Sequence, residues 1–433
     1  MNMKLQAPPL PARWTQLRPH EMQSQLYRTT ERNVVVCAGR GSGKTELARR
    51  RIVRALREKK PHVDPRYFYA LPTYAQCRRV AREHILSLIP RSWYTSVPGS
   101  SQMEFKFTFG SWLFLVGMDK PARIEGDQYD GGVIDECSDQ KPGVYNLTVR
   151  PALTHRDGWL WRIGVPKRRG PGAAEFRRAF ESAEFGKNAF AWPSWDILPA
   201  TEIEKLRAEL DDKDYNEQIG GRWEDAGGAA YYQFSKAETL DDKVQYDPKR
   251  IIYVGMDFNV DPMAWVLAHK TANSLEVFDE VWMRNTNTQR SLDELWRRYH
   301  EHPSGFVFTG DASSNNRHTS ASKTDYAQLS QDRRFQARIR WDKANPSVRD
   351  RIAAVNTLLC NKAGERRLKI NPKCEHIIED LTTRWLDEYG NPAPATPGQA
   401  HDSGHASDAL GYLVWQYFPL RAFMTSSNLV IVG

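Results

Sequence analysis

The sequence predicts an α/β protein made of two sheet-bearing parts in succession, and three observations carry that reading. Short branched or aromatic runs such as "VVV" (34–36), "RYFYALP" and "GWLWRIGVP" alternate with helical segments, the pattern of a largely parallel sheet with crossover helices. A looser, charged stretch interrupts the alternation between about residues 190 and 248. From Ile251 a different order begins: three strands with tight connections, a helix, then another strand. A chain of 433 residues exceeds one ordinary core, so residues 1–190, 191–248 and 249–433 are expected to form a first domain, a connecting region and a second domain with a short apolar tail.

Composition narrows the class. Forty per cent hydrophobic residues and fourteen tryptophans suit packed globular material, and no run approaches the ~18 apolar residues of a membrane span. The N-terminus "MNMKLQAPPLPARW" lacks the apolar core of a signal peptide, so a protein neither secreted nor membrane-bound is expected. Five scattered cysteines (37, 77, 137, 360, 374) include no C-x-x-C pair, which argues against a disulfide framework or a zinc ribbon. The net charge of +8 is compatible with a polyanion partner and decides little alone.

Taken in order, the elements justify themselves as follows. "LRPHEMQSQLYRT" reads as a short helix, and Val34–Val36 as a buried strand. "TELARRRIVRAL" has Ala48, Ile52, Ala55 and Leu56 at helical spacing. "RYFYALP" is an aromatic strand, and "YAQCRRVAREHILSLIP" a helix with Val80, His84, Ile85 and Leu88 on one side. "QMEFKFTFGSWLFLVGMD" reads as a hairpin pivoting at Gly110-Ser111. "YDGGVIDE" and "GWLWRIGVP" are further buried strands, and "TEIEKLRAELDDKDY" a charged helix. In the second part, "IIYVGMDF", "PMAWVLAHK" and "LEVFDEVWM" are strands, "SLDELWRRYHEH" a helix, "GFVFTGD" a strand parallel to the first, and "HASDALGYLVWQY" an amphipathic helix. Three antiparallel strands, a helix and a strand parallel to the first form a ribonuclease H-like layout.

Two constellations carry chemistry. In "VVVCAGRGSGKTELARR", Gly39, Gly41 and Gly43 let the backbone approach an anion, Lys44 reaches the β/γ-phosphates and Thr45 can place its hydroxyl on magnesium. The loop also contains Arg40 and Ser42, and Ala38 stands where the pattern prefers glycine. "GGVIDE" adds Asp135 for a Mg²⁺ shell and Glu136 to orient water, so ATP hydrolysis by an ASCE-like P-loop NTPase is expected. Arg123 is a candidate arginine finger, in cis or toward a neighbouring subunit, with a plain surface arginine as a nearly equal alternative; Arg40 is a second candidate, and Gln23 a candidate adenine contact. In the second part, Asp257 and Asp311 end strands and Asp408 sits in the first turn of the last helix. Brought together, they would hold two Mg²⁺ or Mn²⁺ ions ~4 Å apart for phosphodiester cleavage. An Asp in a first helical turn also suits the helix dipole with no further role. Asp261, Asp325 and Asp402 are reserve ligands, and a zinc pair of His401 and His405 is disfavoured because His401 precedes the helix.

These motifs, in this order, resemble the large terminase subunit of tailed bacteriophages across nearly the whole chain. "CAGRGSGKT" is similar to that family's Walker A and "YDGGVIDE" to its Walker B with catalytic glutamate; "WRIGVP" falls at its coupling motif, with Val165 in place of a polar residue. "YVGMDFNVDPMAW", "GDASS" and "HASDALGYL" match its nuclease segments, which implies metal-ligand roles for Asp257, Asp311 and Asp408. The resemblance implies a motor that packages double-stranded DNA through the portal protein of a procapsid and an endonuclease that cuts the concatemer. It also implies a small terminase subunit as partner, a homo-oligomeric ring, commonly a pentamer, and work in the host cytoplasm during virus assembly. The alternatives are a P-loop helicase or translocase without nuclease activity and a non-catalytic DNA-binding scaffold.

Overall fold

The computed structural model of the chain describes residues 20–420 except 59, 97, 100, 313–323, 336–337, 341–343, 388 and 394–403. Asp402, His401, the serines of "GDASS" and the terminal "TSSNLVIVG" therefore lie outside the described residues. The chain divides into two compact units. The first takes in residues up to Ile203 together with Asn216–Glu224, and the second Glu204–Tyr215 together with residues from Asp225 onward. Residues 191–248 are thus shared between the units. Among the described residues, no helix is long and apolar enough to cross a membrane.

Among its described residues the first unit is organised by seven strands: β1 (Asn33–Ala38), β2 (Arg66–Leu71), β3 (Glu104–Lys106), β4 (Trp112–Gly117), β5 (Gly131–Ile134), β6 (Trp159–Gly164) and β7 (Ala189–Trp192). Their order is β3-β4-β2-β5-β6-β1-β7, and only the β3–β4 hairpin is antiparallel. The Gly110 turn of that hairpin takes φ 94°, a conformation glycine reaches without a Cβ penalty. Strand β1 is buried on both faces, as a central parallel strand must be. Val34 and Val36 pack with Leu47, Ile52 and Val53 of the following helix, Lys44–Ala55, while Val35 and Cys37 pack on the opposite side.

One helix differs from expectation. Residues Tyr74–Leu86 begin with a capping box of Thr73 and Gln76 but widen into a π-helical turn over Cys77–Arg82. The extra residue in that turn shifts the buried face to Cys77, Ala81, Ile85 and Leu88, leaving Val80 and His84 only partly buried. The charged segment after residue 199 is likewise two helices, Ala200–Glu209 and Asp212–Gln218.

In the second unit, β8 (Gly228–Ala229) joins a small sheet with β15 (Trp385–Leu386) and β16 (Pro392–Ala393). The main sheet runs β13-β12-β9-β10-β11-β14, with β9 (Ile252–Asp257), β10 (Met263–Lys270), β11 (Leu275–Met283), β12 (Phe306–Gly310), β13 (Arg338–Ile339) and β14 (Leu368–Ile370). Strands β9, β10 and β11 are antiparallel neighbours, the helix Thr288–Tyr299 follows, and β12 returns parallel to β9 with Gly310 opposite Met256. The ribonuclease H-like layout read from the sequence is the observed one.

Gly255 explains how the last helix, His405–Tyr417, comes so close to β9. A Cβ at this position would stand 2.4 Å from the Ala409 carbonyl oxygen and 2.8 Å from Leu413 Cβ. Gly255→Ala is expected to destabilise the protein by about 1–3 kcal/mol through overpacking. A urea titration checks this, and an unchanged midpoint would show that the helix yields freely.

Candidate nucleotide and carboxylate sites

The loop Gly39–Thr45 leaves β1 and opens the helix Lys44–Ala55, so its first amides face outward without helical partners. Gly41 (φ 70°) and Gly43 (φ 78°) take left-handed conformations. Gly39 is required for a different reason, since a Cβ there would meet Ser194 Oγ at 2.2 Å and the Ile219 carbonyl at 2.5 Å. Ala38, by contrast, is still strand, paired with Trp192, so its methyl is accommodated.

A wall of hydrogen bonds holds the loop from outside. Trp192 Nε1 and Gln23 Nε2 donate to the Ser42 carbonyl at 2.8 and 3.0 Å. Ser194 Oγ donates to the Arg40 carbonyl at 2.6 Å, and the Arg40 amide donates to the Gln218 carbonyl at 2.6 Å. Gln23 is thereby a brace for the loop, a role its sequence context did not announce. Lys44 is 6% exposed and its ammonium reaches back to the Gly39 carbonyl at 3.3 Å. Burial lowers its pKa while Glu136 and Asp135 oppose that shift, so the acidic pair and the lysine share one electrostatic environment. Among the described residues the buried Ser42 hydroxyl has no hydrogen-bond partner, which leaves a polar atom for a bound group to satisfy.

Asp135 follows β5 and is buried, accepting from Tyr69 Oη at 2.6 Å and from the Glu136 amide at 2.9 Å. Burial and then Glu136 raise its pKa, with the Tyr69 bond and Lys44 opposing. Its carboxylate oxygens are donors of the kind that a hard divalent cation takes. Glu136 takes φ 54°, ψ 50°, a left-handed conformation costing a non-glycine residue about 1–2 kcal/mol. Such backbone outliers concentrate at working sites. Arg123 is exposed in a short turn with its guanidinium 5.0 Å from the Tyr74 ring centroid.

In the second unit, β9 and β12 end side by side and the last helix crosses them, which brings Asp257, Asp311 and Asp408 to one end of the sheet. Burial raises the Asp257 pKa; His405 opposes, while Asp408 and Asp311 add to the rise, so the three carboxylates feel one another. Each is engaged separately. Asp257 Oδ2 lies 2.7 Å from His405 Nδ1, Asp408 Oδ1 accepts from Arg384 at 2.9 Å and lies 3.3 Å from Arg351, and Asn345 Nδ2 donates to Asp311 Oδ1 at 2.5 Å. Consequently, among the described residues no three His, Cys, Asp or Glu side chains stand as one metal-holding group. The three aspartates share one end of the sheet, and the basic and amide side chains that engage them left no signal in the sequence. The oxygen donor chemistry still fits a hard divalent cation.

His405 is the residue that sequence reasoning set aside. It sits one helical turn before Asp408 and its Nε2 also lies 3.2 Å from Asn259 Nδ2. The Asp257 bond raises its pKa. The i, i+3 spacing of His405 and Asp408 was the available signal. Asp380 was missed too: its carboxylate caps the same helix, accepting from the Gly404 and Ser407 amides at 2.8 Å each. Of the reserve ligands, Asp325 accepts from Thr288 Oγ1 at 2.5 Å and Asp261 is exposed beside the Asn285 amide at 3.3 Å.

A P-loop sheet with a strand-end Asp-Glu pair and a ribonuclease H-like sheet bearing three aspartates define a P-loop NTPase joined to a nuclease-type fold. Residues 35–238 match the family model for the N-terminal part of the T4-like terminase large subunit. Large terminase subunits of Thermus virus P23-45 and Thermus phage G20c are each 25% identical over 173 residues, 35% of this chain; the match spans about a third, 34%, of either relative's length. The large terminase of a thermophilic bacteriophage is similar in fold over 92% of this chain and 99% of its own, at TM-score 0.58 and 17% identity. A further structure of that protein, in complex with ADP, gives 0.56 over 91% and 98%. Over residues 35–238 the chain is thus similar to large terminase subunits, the resemblance that its motifs imply.

Proposed function

We propose that this protein is the ATP-driven motor and endonuclease of phage genome packaging. The observation that carries the reading is the coexistence, in one chain, of a braced P-loop beside Asp135-Glu136 and a separate strand-end set of Asp257, Asp311 and Asp408. In the first unit, the Gly39–Thr45 amides and Lys44 would hold the ATP phosphates, Gln23 would flank the adenine side, Asp135 and Thr45 would hold Mg²⁺, and Glu136 would orient the attacking water. In the second, Asp257, Asp311 and Asp408 would hold Mg²⁺ or Mn²⁺, with His405, Arg384 and Arg351 giving up their present bonds. When bound there, such ions supply an activated water and a stabilised leaving oxygen for phosphodiester hydrolysis.

On this reading double-stranded DNA is the cargo and the cleavage substrate, gripped through its phosphates. The procapsid portal, a small terminase subunit and a ring of this chain, as a pentamer, are the partners, assembled in the host cytoplasm. The fold match to an ADP-bound phage large terminase, over 91% of this chain at TM-score 0.56, supports the nucleotide assignment.

Two tests follow at the nucleotide site. Glu136→Gln is expected to bind ATP at near wild-type affinity yet hydrolyse it at least a hundredfold more slowly, as water-positioning residues require; normal hydrolysis would move that role elsewhere. Arg123→Ala is expected to lower ATP turnover by about a thousandfold in the assembled ring and to leave the monomer rate unchanged. An equal loss in the monomer would assign it a cis role, and no loss a surface role.

A further inference from the structure

The loop after β6 carries an ion pair that neither motif accounts for. Arg168 donates from Nη1 to Glu217 Oε2 at 2.8 Å and from its backbone amide to Glu217 Oε1, and the two side chains are only 5% and 1% exposed. A buried pair of this kind is a poor source of stability compared with apolar residues of the same volume, so its value lies in geometry.

The geometry is that of a link between the two halves of the nucleotide site. Immediately before Arg168, the Val165 carbonyl accepts from Ser138 Oγ at 2.7 Å, and Lys167 Nζ donates to Asp139 at 2.6 and 2.7 Å. Ser138 and Asp139 lie in the turn that directly follows Glu136. Immediately after Glu217, the Gln218 carbonyl accepts from the Arg40 amide at 2.6 Å, and the Ile219 carbonyl accepts from the Ser194 amide at 2.7 Å. Ser194 in turn holds the Arg40 carbonyl. Every step from Glu136 to the P-loop wall is therefore a direct bond, and the Arg168–Glu217 pair is the middle one. Val165 enters this link through its backbone carbonyl, while its apolar side chain is buried.

We propose that Arg168 and Glu217 are positioning residues that tie the turn after Glu136 to the P-loop at Arg40, so that the water-orienting carboxylate and the phosphate cradle move as one body. This rests on the ATPase reading above. The pair touches no reacting atom; it sets the distance between groups that do, and it should therefore govern turnover and not binding.

The test uses the full chain with Arg168→Met/Glu217→Gln, a double variant that removes both charges of the pair and keeps an acceptor for the backbone amide at position 168. Affinity is read with a fluorescent ATP analogue, turnover by phosphate release, and folding by thermal denaturation. Affinity within about threefold of wild type, with turnover lowered about tenfold or more and an unchanged melting temperature, is the expected result for lost alignment. Arg168→Lys, which retains the charge and loses the fork, should show the same split at smaller size and serves if the double variant melts early. Wild-type turnover in the double variant, or affinity and turnover falling together in both variants, would overturn the proposal. Failure of the wild type to bind the analogue at all would instead sink the ATPase reading.

Discussion

Replacing Lys44 with alanine is expected to lower ATP turnover by about a hundredfold to a thousandfold while leaving DNA cleavage at the wild-type level. The size follows from removing one pre-placed cation from the position where phosphate charge develops. Selectivity follows from the fold, because Lys44 belongs to the first unit and the aspartate set to the second. Lys44 is almost fully buried and its charge is disfavoured by that burial. Its removal should therefore cost the fold little, and the melting temperature should hold. Phosphate release and plasmid nicking on one preparation check both halves; undiminished ATP turnover would refute the P-loop assignment.

Asp257→Asn is expected to abolish cleavage, by about a thousandfold or more, with ATP turnover intact. The amide keeps the size of the carboxyl and an acceptor for His405, while taking away the charge that would hold a divalent ion. The metal-free variant should also be slightly more stable than wild type at neutral pH. Burial raises the Asp257 pKa in the folded protein, so the folded state binds more protons than the unfolded one between the two values. Stability due to this group is then lost as pH rises through that window, and a neutral side chain avoids the loss. A urea titration of both proteins with chelator, at pH 7 and below pH 4, reads the effect. A variant less stable than wild type at pH 7 would contradict the account of this carboxylate.

The two sheets were legible in the sequence, and so were the strand ends and loop that carry the candidate residues. Glycines before Lys44-Thr45, an acidic pair ending a branched strand, and aspartates ending two parallel strands are local signals, and β9 and β12 do end side by side. What was not legible depends on partners distant in sequence. Arg384, Arg351 and Asn345 reach the aspartates from other elements, and Gln23 braces the P-loop through a single carbonyl. The π-helical turn at Cys77–Arg82 left no periodic trace, because one inserted residue displaces the apolar register without changing composition. His405 is informative through Asp408, one turn onward on the same helix, and not through its spacing from His401.

The central claim is that one chain combines an ATPase with a nuclease. It is tested most directly by incubating purified wild type, Lys44→Ala and Asp311→Ala with supercoiled plasmid, ATP and Mn²⁺, and measuring nicking and phosphate release together. The account predicts that wild type does both, Asp311→Ala releases phosphate without nicking, and Lys44→Ala nicks without releasing phosphate. Phosphate release with no nicking by the wild type, or nicking undiminished in Asp311→Ala, would contradict it and favour a translocase whose second half only binds DNA.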